Sequence, residues 1–505
     1  MGLGERETRV AADKRPRRAG GRPLRHRWPD AAAALAALVA TGAWADPPLA
    51  PRLELHEAVH DRSGTPQRSG FFHVFEDRAA GEGRILKLEV VVLPALESPR
   101  APDPVFAFAG GPGQNVAAHV GTWARHWARR RHDVVLVSQR GTGGDNRLAC
   151  ELPGSDADLQ GYLEPIFNVP AFRGCLDELR RRADLRRYST FQAMEDADEL
   201  RQALGYETIN LIGGSYGSRA ALIFMRLHPQ RVRCAILNGV APPAFRNPLF
   251  HARSAQQALD RIFELNDAKA ERRAIFGDLR AKLDSVLARL DRQPVEANVR
   301  HPVTGEAVRV RLTRDAFAEA LRTIMYSGHD DVARLILRAH EGDFEPFAQA
   351  GLLRNRALRD SLAFGMLLCV TCAEDVARID PDEIERETRG TFLGDGRVRR
   401  QMEVCRFWPR SELPADFGAS VQVSVPALLL SGAFDPVTPP RWGDEAASHL
   451  PNATHVVVPG SHGVGGTCVE SIMRAFLEDP GQPLDTSCVA GLEPAPFRLP
   501  DERPN

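Results

Sequence analysis

Residues 207–221, ETINLIGGSYGSRAA, constrain this chain more than any other stretch. A short β-branched run, Thr208 to Ile212, meets Gly213-Gly214-Ser215-Tyr216-Gly217 directly, and RAALIFMRLH follows with apolar residues at helical spacing. The order strand, tight turn, helix is the context in which a G-x-S-x-G match acquires chemical meaning. Small residues on both sides let the backbone turn sharply, and the serine hydroxyl then projects above the sheet edge. Ser215 is the candidate nucleophile; the competing interpretation is an ordinary Gly/Ser turn.

Further segments extend this into a sheet. Ile85–Leu93, Val105–Ala109, Asp133–Val137, Val232–Gly239, Val425–Gly432 and Thr454–Val458 read as strands, and helical stretches separate several of them. Repeated strand–loop–helix units predict an α/β fold, a mostly parallel sheet with helices on both faces. From about Pro243 to Pro409 the periodicity is almost wholly helical, with a short hairpin at HPVTGEAVRV. The expected organisation is a signal peptide over 1–45, sheet core over 46–242, a helical cap over 243–410, returning core over 411–490 and a tail over 491–505. The tail is proline-rich and is expected to be poorly ordered beyond Cys488.

The signal-peptide expectation rests on an arginine-rich start, the apolar run Ala31 to Ala40, and Ala43-Trp44-Ala45 as a small-x-small cleavage site. The apolar run is about half the ~20 residues of a spanning helix, so export without stable membrane insertion is expected. Residues 1–45 hold nine Lys/Arg against four Asp/Glu in a chain of formal net charge −1. The remainder is therefore mildly acidic, which argues against nucleic acid as a partner. Eight cysteines suit an oxidising compartment. Cys234 and Cys369 lie in apolar runs and are expected to be buried thiols. The other six allow 15 connectivities; local pairs are expected, Cys150 with Cys175, Cys372 with Cys405, and Cys468 with Cys488.

A serine nucleophile needs a base, and the base needs an orienting group. In a parallel sheet such groups stand just beyond strand C-termini. Asp435 follows LLLSG and His462 follows VVV, so both qualify, whereas His449 falls on a helix and His455 within a strand. The order Ser215, Asp435, His462 is that of an α/β-hydrolase. Oxyanion donors are expected from the backbone of Tyr216 and of Gly111, with Gly110 as the alternative. Neither HExxH, nor paired CxxC, nor GxxxxGK[ST] occurs, so no metal or cofactor is implied.

Together with Gly110-Gly111-Pro112-Gly113-Gln114, Gln139-Arg140-Gly141-Thr142-Gly143, Arg219 and Ser431 through Pro439, these motifs resemble the secreted tripeptidyl aminopeptidase branch of the prolyl iminopeptidase-related α/β-hydrolases. The resemblance covers most of residues 70–490, and the cysteines after the QRG motif and near His462 also match. It departs at Ala109, where a histidine is usual, at Ser138, where an aspartate is usual, and around Asn266–Ala270, where a cysteine pair is usual. It implies a serine exopeptidase acting on free N-termini, with Ser215 as nucleophile, Asp435 as acid and His462 as base. An ammonium-binding carboxylate is then required, and Glu374 and Asp375 are the candidates, with a solvated loop as the competing interpretation. Peptide or small ester substrates fit the machinery, and the sequence leaves oligomeric state open. An ester hydrolase on the same residues and a non-catalytic binding protein are the alternatives.

Overall fold

The computed structural model describes residues 52–60 and 64–502. The expected signal segment lies outside them, as does the apolar run 31–40. Eleven strands run in chain order: β1 (Leu53–His60), β2 (Thr65–Phe75), β3 (Ile85–Leu93), β4 (Val105–Phe108), β5 (Val134–Val137), β6 (Ile209–Gly214), β7 (Val232–Asn238), β8 (Val295–Arg300), β9 (Ala307–Leu312), β10 (Ala427–Gly432) and β11 (Ala453–Val458). Nine form one sheet in the order β1-β2-β3-β5-β4-β6-β7-β10-β11. The pairs from β5 to β11 are all parallel, and β1, β2 and β3 add antiparallel pairs on one side.

The central strands are apolar on both faces because both faces are covered. Along β10, Ala427 and Leu429 enter one core, with Phe106, Leu211 and Phe224, while Leu428 and Leu430 enter the other, with Val105, Val456, Val469 and Phe476. This period of two sorts neighbouring residues to opposite helical layers. β1 and β2 were not evident in the sequence; in β2 the polar Gln67-Arg68-Ser69-Gly70 run precedes its apolar Phe72 and Val74.

Buried polar groups tie the early strands to the first helices. Arg140, fully buried, donates through Nε and Nη2 to the Asp196 carboxylate at 2.7 and 2.8 Å, and through Nη1 to the carbonyls of Glu76 and Arg187. Ser138, at a departure from the family pattern, accepts the Glu89 N–H at 3.0 Å and so clasps β3 to β5. The helix Thr190–Ala203 is capped by the Ser189 hydroxyl, which accepts the Gln192 N–H. Two short helical turns, Val120–Trp123 and Trp127–Arg130, lead into β5.

Nine α-helices lie between β7 and β10 among the described residues, with β8 and β9 as an antiparallel hairpin. The block expected over 243–410 has two packing partners. Helices from His251–Asp267 to Glu345–Ser361 share a core of their own around Ile262, Phe317, Leu335 and Phe347. Phe364–Glu374 and Gly396–Cys405 instead join the core of the sheet, where Phe172 meets Phe364 and Trp408. Disulfides join Cys150–Cys175, Cys372–Cys405 and Cys468–Cys488, and Cys234 and Cys369 are free and buried. The C-terminal segment corrects the expectation of poor order. Phe497 is buried against Phe276, and Arg498 pairs with Asp330 at 2.9 Å, so an apolar anchor and an ion pair hold a proline-rich stretch. Among the described residues no helix is long and apolar enough to cross a membrane.

The turn after β6 is sterically closed. A Cβ on Gly213 would stand 2.2 Å from the Gly217 carbonyl oxygen, and one on Gly217 would stand 2.2 Å from the Phe108 carbonyl oxygen. Gly174, in contrast, lies on an exposed helical face with nothing within 4 Å of an added Cβ. Gly217→Ala is expected to destabilise by about 3 kcal/mol, and Gly174→Ala to stabilise by about 0.5–1 kcal/mol. Thermal unfolding of the two variants should therefore shift in opposite directions.

Candidate active site

The sheet edge at the strand C-termini carries a cavity of about 380 Å³. Ser215, Tyr216, Gly110, Gly111, Thr438 and His462 all line it. Chain order puts β5 on one side of β4 and β6 on the other, so the cavity sits where the winding reverses, the expected location for a ligand.

Ser215 has φ 55° and ψ −125°, the only positive φ of a non-glycine residue among the described residues. Such a conformation costs of order 1–3 kcal/mol and persists only when its surroundings enforce it. Here the Ser215 N–H donates to the Asn238 carbonyl at 2.8 Å, and the Ser215 carbonyl accepts from the Ser218 N–H and hydroxyl at 2.9 and 2.6 Å. The helix Tyr216–Leu227 starts at the next residue, so the Ser215 side chain stands at a positive helix end.

Asp435 is fully buried beyond β10. Its Oδ1 accepts the N–H groups of Val437 and Thr438 at 2.8 and 2.9 Å, and its Oδ2 accepts the Thr438 hydroxyl at 2.8 Å. His462 Nδ1 lies 2.8 Å from Oδ2 and 3.0 Å from Oδ1. That pairing assigns the ring proton to Nδ1 and leaves Nε2 to accept. Burial by itself would raise the Asp435 carboxyl; the His462 ring and these hydrogen bonds outweigh it and hold the group below the ordinary carboxylate range. The Tyr326 ring packs edge-on against the imidazole, centroids 4.9 Å apart. No hydrogen bond joins the Ser215 hydroxyl to His462 among the described residues; in ligand-free sites such contacts are commonly long.

A second Ser–His–Asp arrangement exists at His455, whose Nδ1 meets Asp444 and whose Nε2 meets the Ser431 hydroxyl, each at 2.9 Å. Ser431 is completely buried in β10, which leaves a substrate no approach.

Glu374 and Asp375 end a buried helix, and neither lies on a solvated loop. Glu374 does not line the cavity. Its carboxylate accepts the Thr190 N–H at 2.6 Å and the Thr190 hydroxyl at 2.8 Å, and burial pushes its pKa up to about 7, against the opposing pull of Arg219. Asp375 does line the cavity. Its Oδ1 takes Arg219 Nη1 at 2.8 Å and its Oδ2 has no hydrogen-bond partner. Arg219 also donates to the carbonyls of Ala241, Pro242 and Phe245, which fixes the chain leaving β7.

His251, Arg322, Tyr326 and Arg397 line the cavity without having been singled out in the sequence. Arg322 gave a usable signal, since Ala318, Arg322 and Tyr326 fall at i, i+4 and i+8 of one helix stripe that also faces inward. An arginine on that stripe is buried or functional, seldom solvated.

The depressed Asp435 carboxyl makes a stability claim. A folded pKa below the unfolded value of about 3.9 gives stabilisation that is complete above the unfolded pKa and lost as pH falls through the folded one. Asp435→Asn is expected to cost about 1–3 kcal/mol at pH 7, with the gap to the parent narrowing below about pH 4. Melting curves from pH 8 to pH 3 check this; a pH-independent gap would contradict it.

Two family models match the chain, alpha/beta hydrolase fold over residues 103–301 and TAP-like protein over residues 391–488. The first contains Ser215, the second Asp435 and His462. The chain is 23% identical over 410 residues to serine protease Hip1 of Mycobacterium tuberculosis, covering 73% of this chain and 77% of that one. It is 25% identical over 193 residues to a tripeptidyl aminopeptidase of Streptomyces lividans, covering 32% and 35%. The solved proline iminopeptidase of Mycobacterium smegmatis superposes with a TM-score of 0.38 at 15% identity, covering 81% of this chain and 94% of that one. With a mostly parallel sheet whose matched segments supply the strands beneath the cavity, the chain has the α/β-hydrolase fold and matches TAP-like protein over its C-terminal segment.

Proposed function

We propose that the protein is an exported serine hydrolase, an aminopeptidase that releases short peptides or single residues through an acyl-enzyme on Ser215. One observation carries this: Ser215, held in a strained turn at a helix start, opens into the same cavity as an imidazole whose Nδ1 is bound to a buried carboxylate. Export fits the three disulfides and the expected signal segment. The serine protease and aminopeptidase relatives support peptide over other acyl substrates.

In this mechanism His462 Nε2 takes the proton as Ser215 Oγ attacks the carbonyl carbon. Asp435 holds the Nδ1–H and stabilises the imidazolium, remaining ionised because three further donors engage it. The backbone N–H groups of Tyr216 and of Gly111, or Gly110, receive the oxyanion, each worth roughly 3 kcal/mol in the transition state. His462 then protonates the leaving amine, the peptide departs, and a water activated by the same imidazole hydrolyses the ester on Ser215. The free Oδ2 of Asp375 is the group suited to a substrate ammonium. The helices from His251–Asp267 to Glu345–Ser361, which share their own core, act as a cap that limits entry to chain ends.

The test compares tripeptide and single-residue amides, with free or acetylated N-termini, against short-chain esters. Free-amine peptides should be turned over, acetylation should lower kcat/KM by roughly 10-fold or more, and Ser215→Ala should lower kcat by roughly 10⁶-fold. Cleavage of esters alone would make the protein an ester hydrolase. Failure of a fluorophosphonate to label Ser215 would leave a binding protein.

A further inference from the structure

The cavity behind His462 holds more positive charge than the proposed reaction uses. Its walls carry Arg219, Arg322 and Arg397 against one carboxylate, Asp375, which Arg219 already engages. Arg322 and Arg397 come from two different helices, Arg314–Ser327 and Gly396–Cys405, and both are buried. Arg322 Nη1 donates to the Tyr326 hydroxyl at 2.9 Å, its Nη2 reaches Glu319 only at 3.5 Å, and its Nε has no partner. Arg397 makes no side-chain hydrogen bond among the described residues; its Nε and Nη1 are buried and unpartnered, and its guanidinium lies over the Phe167 ring at 4.6 Å.

The nearby carboxylates answer this charge only in part. Glu319 is shared, at 3.5 Å from Arg322 and 4.0 Å from Arg400, and Asp315 pairs with Arg400 at 2.8 Å. His251 lies in the same wall with both ring nitrogens unpartnered. Burial, then the charges of Arg322 and Arg397, push its pKa well below the ordinary value, so the ring is neutral and offers one N–H. Burial also lowers Arg397, to about 10, against the opposing pull of Glu319, and the Arg322 charge adds to the lowering.

Unmet buried donors cost about 1–3 kcal/mol each, more when charged, and two adjacent guanidiniums repel. A chain tolerates such a cluster where an incoming group supplies acceptors, and a planar guanidinium fork matches a carboxylate two bonds at a time. Its position is also informative. Tyr326 touches the His462 ring with its own ring and Arg322 with its hydroxyl, so a single side chain separates the cationic wall from the imidazole.

We propose that Arg322 and Arg397, with His251 beside them, form a carboxylate subsite, and that the preferred substrate carries an acidic group next to the bond being cleaved. The anion binding stands on the cavity alone; only its place relative to the scissile bond rests on the role proposed for Ser215. Two sources share this chemistry: an acidic side chain on the acyl residue, and a free C-terminal carboxylate on a short leaving group.

Calorimetric titration of Ser215→Ala protein with glutarate and with glutaramide reads the subsite without catalysis. Glutarate should bind roughly 10–100-fold more tightly. Arg397→Gln on that background should abolish the difference, and Arg397→Lys should restore part of it. Equal binding of the two compounds overturns the proposal. So does an Arg397→Gln variant that melts earlier yet keeps the glutarate preference, since the arginine would then be structural. Kinetics on the full chain identify the source: peptide p-nitroanilides ending in Glu or Gln probe the acyl side, and peptides with a free or amidated C-terminus probe the leaving side. In one series the charged member should have the higher kcat/KM by roughly 10–100-fold, with the ratio collapsing in Arg397→Gln; no preference in either series overturns the proposal. If Ser215 resists a fluorophosphonate, the hydrolase assignment fails by itself and the glutarate titration still decides the subsite.

Discussion

The backbone at Ser215 is the constraint on which the site depends. A residue with a side chain at φ 55° is unfavourable, and it is held there by a hydrogen bond to Asn238 at the end of the neighbouring strand and by two bonds from Ser218. Gly213 and Gly217 allow the strand, the turn and the helix to come within atomic contact of each other and of the loop after β4. The same close approach that forces the serine upward therefore brings Gly110 beside it, with Gly111 on the wall of the same cavity. Strain at one residue and proximity of the glycine loop are two consequences of a single packing arrangement.

Around that turn, the charged groups are paired with unequal completeness. Asp435 is saturated by two N–H groups, a hydroxyl and an imidazole, so it stays ionised although buried. Arg219 is equally saturated, by Asp375 and three carbonyls, and serves to fix the backbone leaving β7. Asp375 keeps one oxygen without a hydrogen-bond partner, and Arg322, Arg397 and His251 keep unpartnered donors, all on residues that line one cavity. Buried polar groups in folded proteins are nearly always partnered. Exceptions occur elsewhere in the fold as well, but those on this cavity's wall belong to charged or titratable groups, which suits a polar ligand.

The parallel sheet and the residues around the cavity mouth were legible because each leaves a local trace: a β-branched run, a glycine turn, a polar residue just past a strand. Ser215, Asp435 and His462 were singled out in that way, and so was the contrast between free and paired cysteines. β1 and β2 were missed because their alternation is half polar and interrupted at Arg68-Ser69-Gly70. Glu374 could not be separated from Asp375 in the sequence, since adjacent residues at a helix end point in different directions; Thr190 claims one and Arg219 the other. The tail was misjudged because prolines suggested disorder while one phenylalanine and one arginine were enough to dock it. Arg397 sits in a helix whose other charged residues, Arg399, Arg400 and Glu403, are exposed or partly so, and only its burial, a tertiary property, distinguishes it.

The most direct measurement of the central claim is a crystal structure of the protein after reaction with a phosphonylating reagent. The expected result is a covalent bond to Ser215 Oγ, with the phosphoryl oxygen about 2.7–3.1 Å from the backbone nitrogens of Tyr216 and of Gly111 or Gly110, and His462 Nε2 turned towards the adduct. Phosphonylation at another residue, or an adduct on Ser215 whose oxygen points to solvent with His462 turned away, would contradict it.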